Sequence, residues 1–178
     1  MDNNDNKKVV YAGRHINMID RNGWEYAERS RIVTGIVAII ASTEKHVILV
    51  EQYRPPCGGR VIEFPAGLVG DKQGFHEETL LEAAKRELEE ETGYAGDNFI
   101  KVAEGPASAG ITSEVITLYR VSDVKKVGPG GGDESEKIKV HLAPIDSIDE
   151  WLQEKVAQGL QIDLKVYSGL YFLKDKNV

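Results

Sequence analysis

One long helical pattern stands in the middle of this sequence, between runs of β-branched residues. Leucine and alanine recur at helical spacing within residues 77–92, and Gly93 follows where a C-terminal helix cap is favoured. Residues 33–41 and 46–53 are rich in valine and isoleucine and are bounded by turn residues, which is typical of buried strands. A helix placed among strands in this way predicts a mixed α+β domain.

Shorter patterns predict the remaining elements. Further strands are expected at residues 9–16, 24–34, 61–64, 99–104, 115–122 and 138–142. Ser147 and Glu150 form a capping-box pattern that opens a second helix, which Gly159 ends, and a third helix is predicted at about 164–174. The glycine-rich stretch of residues 128–132 is expected to be a mobile loop. The polar tail of residues 1–8 is expected to be disordered.

The charge balance limits the classes of partner. The chain has 178 residues, enough for one domain, and a formal net charge of −7, which argues against binding nucleic acid or an anionic membrane. The longest apolar run, residues 36–41, is too short to span a bilayer, and the polar N-terminus lacks a signal peptide, so we expect a cytoplasmic protein. Cys57 is the only cysteine, which excludes an intrachain disulfide.

The end of the central helix carries a dense run of acidic residues. Glu87 and Glu91 are four residues apart and share one helix face, with Glu90 beside them. Like charges at this spacing destabilise a helix, and acids near a C-terminus oppose its macrodipole. The run is therefore either a solvated acidic face or a site for a hard cation such as Mg²⁺, with Arg86 orienting the carboxylates.

Residues 64–68 and 78–94 together resemble the Nudix box, written G-x5-E-x7-R-E-U-x-E-E-x-G-U, where U is a bulky aliphatic or similar residue. From Glu78 onward the match is complete at every defined position. Between Gly67 and Glu78 lie ten residues rather than five, so segment 69–77 is expected to contain an inserted loop.

The resemblance covers nearly the whole chain. Residues 24–26 and 52–68 are similar to the Nudix branch that hydrolyses ADP-ribose and other nucleoside diphosphate sugars. It implies one Nudix domain over residues 9–178, with a mixed sheet sandwiched between helices, and a homodimer formed through the strands of residues 9–34. It also implies hydrolysis of a pyrophosphate bond to a nucleoside monophosphate and a sugar phosphate, with two or more Mg²⁺ ions, or Mn²⁺ in their place.

Carried over position by position, the resemblance assigns roles to individual residues. The implied metal ligands are the backbone carbonyl of Ala66 and the carboxylates of Glu87, Glu90 and Glu91. The implied substrate-binding residues are Trp24, Glu25, Arg29, Arg54 and Leu68, with Arg54 on the diphosphate. The implied catalytic residues are Arg86, Glu134 as general base and Glu136 as a further metal or water contact, with Glu114 the next candidate for the base.

Several alternatives stay open. Trp24 either stacks on a nucleobase or packs in a dimer interface. Ala109-Gly110 stands where ADP-ribose-specific members carry Pro-Gly, which favours a broader range of nucleoside diphosphate sugars. The substrate could instead be a dinucleoside polyphosphate, a nucleoside triphosphate or a redox dinucleotide such as NADH. A non-hydrolytic nucleotide-sugar sensor is disfavoured, because such modules usually lose the glutamates that are present here.

Overall fold

The computed structural model describes residues 6–31, 33, 35–70, 77–132 and 137–174. Within them the strands are β1 (Lys7–Ala12), β2 (Ile16–Arg21), β3 (Trp24–Arg29), β4 (Gly35–Ala41), β5 (His46–Arg54), β6 (Gly59–Glu63), β7 (Ala66–Val69), β8 (Tyr94–Ala95), β9 (Ile100–Pro106), β10 (Val115–Val121), β11 (Lys125–Lys126), β12 (Lys139–Pro144) and β13 (Gln161–Ile162). The helices are α1 (Leu80–Thr92), α2 (Ile148–Ala157) and α3 (Leu164–Lys174).

Two four-stranded sheets form the centre of the domain. One has the strand order β7-β4-β10-β9, in which β4 and β10 are parallel and the outer pairs are antiparallel. The other has the order β12-β5-β6-β13, in which only β6 and β13 are parallel. A tight turn leads from β4 to β5, and a bridge between Ser42 and Val47 joins the two sheets there.

The side chains of β4 alternate between two hydrophobic cores, as the two-residue period of a strand requires. Val37 and Ile39 pack with Leu88 of α1 on one face, whereas Ala38 and Ile40 pack with residues of α2 and α3 on the other. Helices therefore cover both faces of the sheet layer, as predicted. A strand that is buried on both faces has a continuous apolar sequence, as β4 does.

The N-terminal region contains three strands where two were predicted. β1, β2 and β3 form a separate antiparallel sheet, and the turn between β2 and β3 is only Asn22-Gly23, with φ values of 55° and 85°. An Asn-Gly pair with positive φ values closes a two-residue hairpin, so the residues before it extend β2 instead of forming a longer turn. β1 begins at Lys7, two residues before the predicted start of the first strand at Val9, and residues 1–5 lie outside the described residues.

α1 is defined by caps at both ends. Thr79 and Glu82 form a capping box, in which each side chain accepts a hydrogen bond from the other residue's backbone N–H. Gly93 ends the helix with a φ of 70°, a conformation that favours glycine. The helix thus starts three residues later than predicted and ends at the predicted residue.

The other two helices also occupy their predicted places. Ser147 precedes α2 without the capping hydrogen bond that the sequence predicted, because a 3-10 turn leads into this helix. α3 covers the predicted residues 164–174. Among the helices described, none combines the length and the apolar character needed to cross a membrane.

Candidate active site

Arg86 lies at the centre of the hydrogen bonds that surround α1. Its Nε and Nη2 atoms donate to the two carboxylate oxygens of Glu78 at 2.7 and 2.9 Å, which is a bidentate ion pair. Nη2 also donates to the backbone carbonyl of Leu68, at 3.3 Å. On the other side of the guanidinium, Nη1 donates to Glu87 at 2.6 Å and to Glu90 at 3.2 Å. One side chain thus connects β7, Glu78 and the two glutamates Glu87 and Glu90. Most of the loop expected within residues 69–77 lies outside the described residues.

The pair between Arg86 and Glu78 is almost fully removed from solvent. The Glu78 side chain is 2% exposed and the Arg86 side chain 11%. Hydrogen bonds from Arg86 outweigh the cost of burial and hold the pKa of Glu78 below its ordinary value, while the same carboxylate raises the pKa of Arg86. The insertion before Glu78 therefore leaves this residue in register with Arg86.

Glu87 and Glu91 point from α1 toward the backbone of β7. The N–H of Ala66 donates to a carboxylate oxygen of Glu91 at 3.0 Å. A Cβ atom on Gly67 would lie 2.1 Å from a carboxylate oxygen of Glu87, so only glycine allows this close approach. Both glutamates are buried, which corrects the interpretation of the run as a solvated face. Glu90, in contrast, is exposed.

The donor atoms of this region suit a hard divalent cation. Glu87, Glu90 and Glu91 offer carboxylate oxygens, and the adjacent β7 offers backbone carbonyls, which are the ligands that Mg²⁺ prefers. Among the residues described, no three acidic, histidine or cysteine side chains form a complete metal cluster. Mg²⁺ commonly takes only one or two carboxylates and completes its shell with water and substrate phosphate, so the residues present fit such an ion.

The C-terminal end of α1 is stabilised by a segment far along the chain. The last turn of the helix contains no basic residue, although its acidic side chains oppose the helix dipole. The N–H groups of Gly131 and Gly132 donate to the carbonyls of Glu91 at 2.7 Å and of Glu90 at 3.1 Å. The glycine-rich stretch 128–132, predicted to be mobile, is therefore held against the helix by hydrogen bonds.

A cleft of about 720 Å³ opens beside α1 and brings together side chains from distant parts of the chain. The site residues predicted from the sequence that line it are Arg29, Arg54, Ala66, Leu68, Glu87, Glu90 and the alternative base Glu114. Arg86 and Glu91 stand behind this lining, bonded to Glu87 and to Ala66 respectively.

Three cationic side chains line the cleft, and each is held by a carboxylate. Arg54 forms a bidentate pair with the buried Glu63, at 2.6 and 2.8 Å, and hydrogen bonding to Glu63 raises the pKa of Arg54. Arg29 donates to Glu114 at 2.7 Å. The third pair joins Lys165, in the first turn of α3, to Asp163 at a distance of 2.5 Å.

Sequence reasoning missed Glu63 and Lys165 as cleft residues. Glu63 had a detectable signal, since a charged residue that ends the apolar strand β6 is buried only with a partner. Lys165 had none, because the fold alone brings the start of α3 to the cleft.

Trp24 and Glu25 lie outside the cleft lining of their own chain. The indole N–H of Trp24 donates to the carbonyl of Gly110 at 3.3 Å, and the ring is 64% exposed. The structure therefore brings Trp24 to the loop at Ala109-Gly110, although not into the cleft beside the acidic face of α1. Glu25 is exposed and stands opposite Asp20 in the pair β2–β3. The predicted catalytic residues Glu134 and Glu136 lie outside the described residues.

A second polar cluster lies on the opposite face of the sheet, under α2. His141 donates to the buried Glu51 at 2.7 Å, packs edge-on against Trp151, and shares Glu51 with Arg60. Burial opposes ionisation of Glu51, but bonds from His141 and Arg60 outweigh it and lower its pKa. Burial also lowers the pKa of His141, so a neutral imidazole donates to the carboxylate. This cluster satisfies buried polar groups away from the cleft.

The pattern of the NUDIX domain matches residues 30–161. The chain is 34% identical over 167 residues to an ADP-sugar pyrophosphatase of Mus musculus, covering 84% of this chain and 70% of that protein. It is 32% identical over 143 residues to a GDP-mannose pyrophosphatase of Cronobacter sakazakii, covering 76% and 70%.

A solved structure described as an ADP compounds hydrolase superposes with a TM-score of 0.64 at 21% identity, covering 82% of this chain and 80% of that one. At this identity the likeness concerns the fold alone, and it confirms the predicted layers of sheet between helices.

We predict that Glu78→Gln lowers the free energy of unfolding at pH 7 by about 3 kcal/mol, because the buried Arg86 loses its bidentate carboxylate partner, although Nη1 keeps its bonds to Glu87 and Glu90. The pKa of Glu78 is depressed in the folded state, so its stabilisation is present above the ordinary glutamate pKa of 4.5 and is lost as the pH falls further. Urea unfolding at pH 7, 5 and 3.5 measures this difference.

The matched control is Glu89→Gln, at an exposed position of the same helix, where we expect a change below about 0.5 kcal/mol. A stability difference between wild type and Glu78→Gln that stays constant down to pH 3.5 would contradict the prediction.

Proposed function

Because the chain belongs to the Nudix hydrolase family, we propose that it hydrolyses the pyrophosphate bond of nucleoside diphosphate sugars of the ADP-ribose type. The products are a nucleoside monophosphate and a sugar phosphate. The observation that carries this proposal is the cleft itself, whose lining combines Glu87 and Glu90 of α1 with the cationic groups of Arg29, Arg54 and Lys165. Carboxylates that can bind cations, together with cationic groups that can contact phosphates, suit a metal-bound diphosphate.

The proposed metal ligands are Glu87, Glu90, Glu91 and the carbonyl of Ala66, and the proposed ions are two or more Mg²⁺, which Mn²⁺ could replace. Bound there, such ions would supply charge against the phosphate oxygens and a lower pKa for a coordinated water. Arg86 holds Glu87 and Glu90 from behind, so these carboxylates keep their orientation while the substrate enters.

The charges of the cleft support metal dependence. Arg29, Arg54 and Lys165 are each already paired with a carboxylate, so these pairs add no net positive charge. The glutamates of α1 make the remaining charge negative, and an anionic diphosphate would be repelled without added cations. Arg54 presents a planar guanidinium fixed by Glu63, which suits contact with phosphate oxygens.

The proposed contacts with the nucleobase and the sugar allow more than one substrate. We assign Leu68 and Arg29 to substrate contact within the cleft and Trp24 and Glu25 to a nucleobase bound near the loop at Ala109-Gly110. The names of the two relatives described above differ in nucleobase, and one of them gives sugars as a class, which supports a substrate range wider than ADP-ribose. The cytoplasmic location stays a prediction.

The central test is hydrolysis of ADP-ribose, ADP-glucose, UDP-glucose, GDP-mannose and NADH with Mg²⁺ and identification of the products. We expect Glu91→Gln to lower kcat about 100-fold, as loss of a metal ligand or its close support commonly does. Glu89→Gln, at the undefined position of the box, should keep wild-type kcat. If NADH alone were hydrolysed, the substrate class would be redox dinucleotides and not nucleoside diphosphate sugars. Tight binding of ADP-ribose with no turnover at any Mg²⁺ concentration would favour a sensor.

Glu134 is the proposed general base, a role carried over from the family resemblance. Glu114 is a weaker candidate because Arg29 holds its carboxylate. We expect Glu134→Gln to lower kcat by about 10²–10⁴ with little change in KM, as loss of a general base does. Glu136→Gln and Glu114→Gln serve as comparisons under saturating Mg²⁺. If Glu134→Gln kept wild-type turnover, the general base would instead be Glu136 or Glu114, whichever of them abolishes turnover when replaced by glutamine.

We also propose a homodimer that associates through the N-terminal sheet. Val9, Tyr11 and Ile16 expose half or more of their surface there, an unusual concentration of apolar groups on a soluble surface. Light scattering should give twice the chain mass of 19.7 kDa. Tyr11→Glu should shift the protein toward monomer, whereas Val156→Glu, at an equally apolar exposed position of α2, should not. A wild-type monomer at micromolar concentration would reject the dimer.

A further inference from the structure

Lys126 joins two segments that are distant in sequence. It lies in β11, which pairs with β8 directly after α1. Its ammonium donates to the carbonyl of Thr92 at 2.8 Å and to the carbonyl of Pro129 at 3.1 Å, and it lies 4.9 Å from the centre of the Tyr94 ring. A single side chain thus connects the last residue of α1 to the glycine-rich loop.

The loop itself follows a path that only glycine can adopt. Gly130, Gly131 and Gly132 have φ values of 67°, 107° and 68°, in the left-handed region that other residues rarely occupy. A Cβ atom on Gly130 would lie 2.3 Å from the carbonyl carbon of Thr92. Close packing against the helix end therefore explains Gly130, and the positive φ values explain why glycine stands at all three positions.

The contacts of this loop fall on the residues proposed to bind metal. Gly131 and Gly132 donate their N–H groups to the carbonyls of Glu91 and Glu90, and Lys126 binds the next carbonyl along the helix. These bonds satisfy carbonyls that an isolated helix would leave without partners. Lys126 also supplies the positive charge that α1 lacks in its own last turn.

We propose that Lys126 and Gly130–Gly132, named here the α1 clamp, position Glu90 and Glu91 for cation binding. Lys126 is thus a positioning residue that acts through the helix backbone and touches neither substrate nor metal. This inference rests on the proposed function, since it assumes that these glutamates bind a divalent cation. Residues that orient metal ligands commonly change metal affinity or activity 10- to 100-fold when replaced.

The first experiment measures binding of Mn²⁺ alone, from the loss of the electron paramagnetic resonance signal of the free ion. We expect Lys126→Met to raise the Kd for Mn²⁺ about tenfold and Lys126→Arg to restore most of the affinity, because arginine keeps a donor and a charge. Lys125→Met is the matched control. It removes the same charge from the neighbouring exposed residue of β11 and should leave the Kd unchanged.

The second pair of variants tests the loop without changing any charge. Gly130→Ala places a methyl group against the backbone of Thr92 and should raise the Kd for Mn²⁺ at least as much as Lys126→Met does. Gly128→Ala adds the same methyl group where nothing lies within 4 Å and should have no effect. Amide hydrogen exchange at Gly131 and Gly132 should accelerate in Gly130→Ala and Lys126→Met, and in neither control.

The outcomes separate the clamp from the proposed reaction. Wild-type Mn²⁺ affinity in Lys126→Met overturns the positioning role, even if amide exchange shows that the loop has detached. An equal loss in Lys125→Met also overturns it, because the effect would then be general electrostatics. A protein that shows the Lys126 effect on Mn²⁺ but hydrolyses no nucleoside diphosphate sugar would reject the proposed substrate and keep the clamp.

Discussion

The buried ion pair between Arg86 and Glu78 is the constraint on which the rest of the site depends. A guanidinium presents donors in a rigid plane, and here that plane is bonded on one edge to Glu78 and on the other to Glu87 and Glu90. The side chains of Glu87 and Glu90 are therefore linked through Arg86 to Glu78, in the segment that precedes α1. Replacing Arg86 with lysine would remove this geometry while keeping the charge, which is why the two residues are not equivalent at such a position.

The acidic end of α1 is stable only because other parts of the chain compensate for it. Arg86 neutralises carboxylates from within the helix, while the α1 clamp binds the carbonyls of the last turn. The helix dipole favours lysines in the last turn of a helix. Here the positive charge comes instead from Lys126 of β11. The acidic end of α1 is therefore stabilised without a basic residue in its own last turn.

The parts of the site that were predictable from the sequence are those encoded within a short segment. α1, its cap at Gly93 and the spacing of Glu78, Arg86 and Glu87 follow from local pattern. β7 was missed, because Ala66-Gly67-Leu68 carries little strand propensity and becomes a strand only by pairing with β4. Lys165 was missed for a similar reason, since α3 must fold against the strands before its first turn reaches the cleft.

The ten-residue interval between Gly67 and Glu78 illustrates how little a longer connection costs when both of its ends are fixed. Arg86 bonds to the carbonyl of Leu68, the first residue of the interval, and to Glu78 directly after it, so one side chain holds both ends. Doubling a loop from five residues adds only about 0.6 kcal/mol of closure entropy, well below the roughly 3 kcal/mol at stake in a buried ion pair. The bonds of Arg86 to both ends of this interval therefore account for the register of Glu78 with α1, although the interval is five residues longer than in the box pattern.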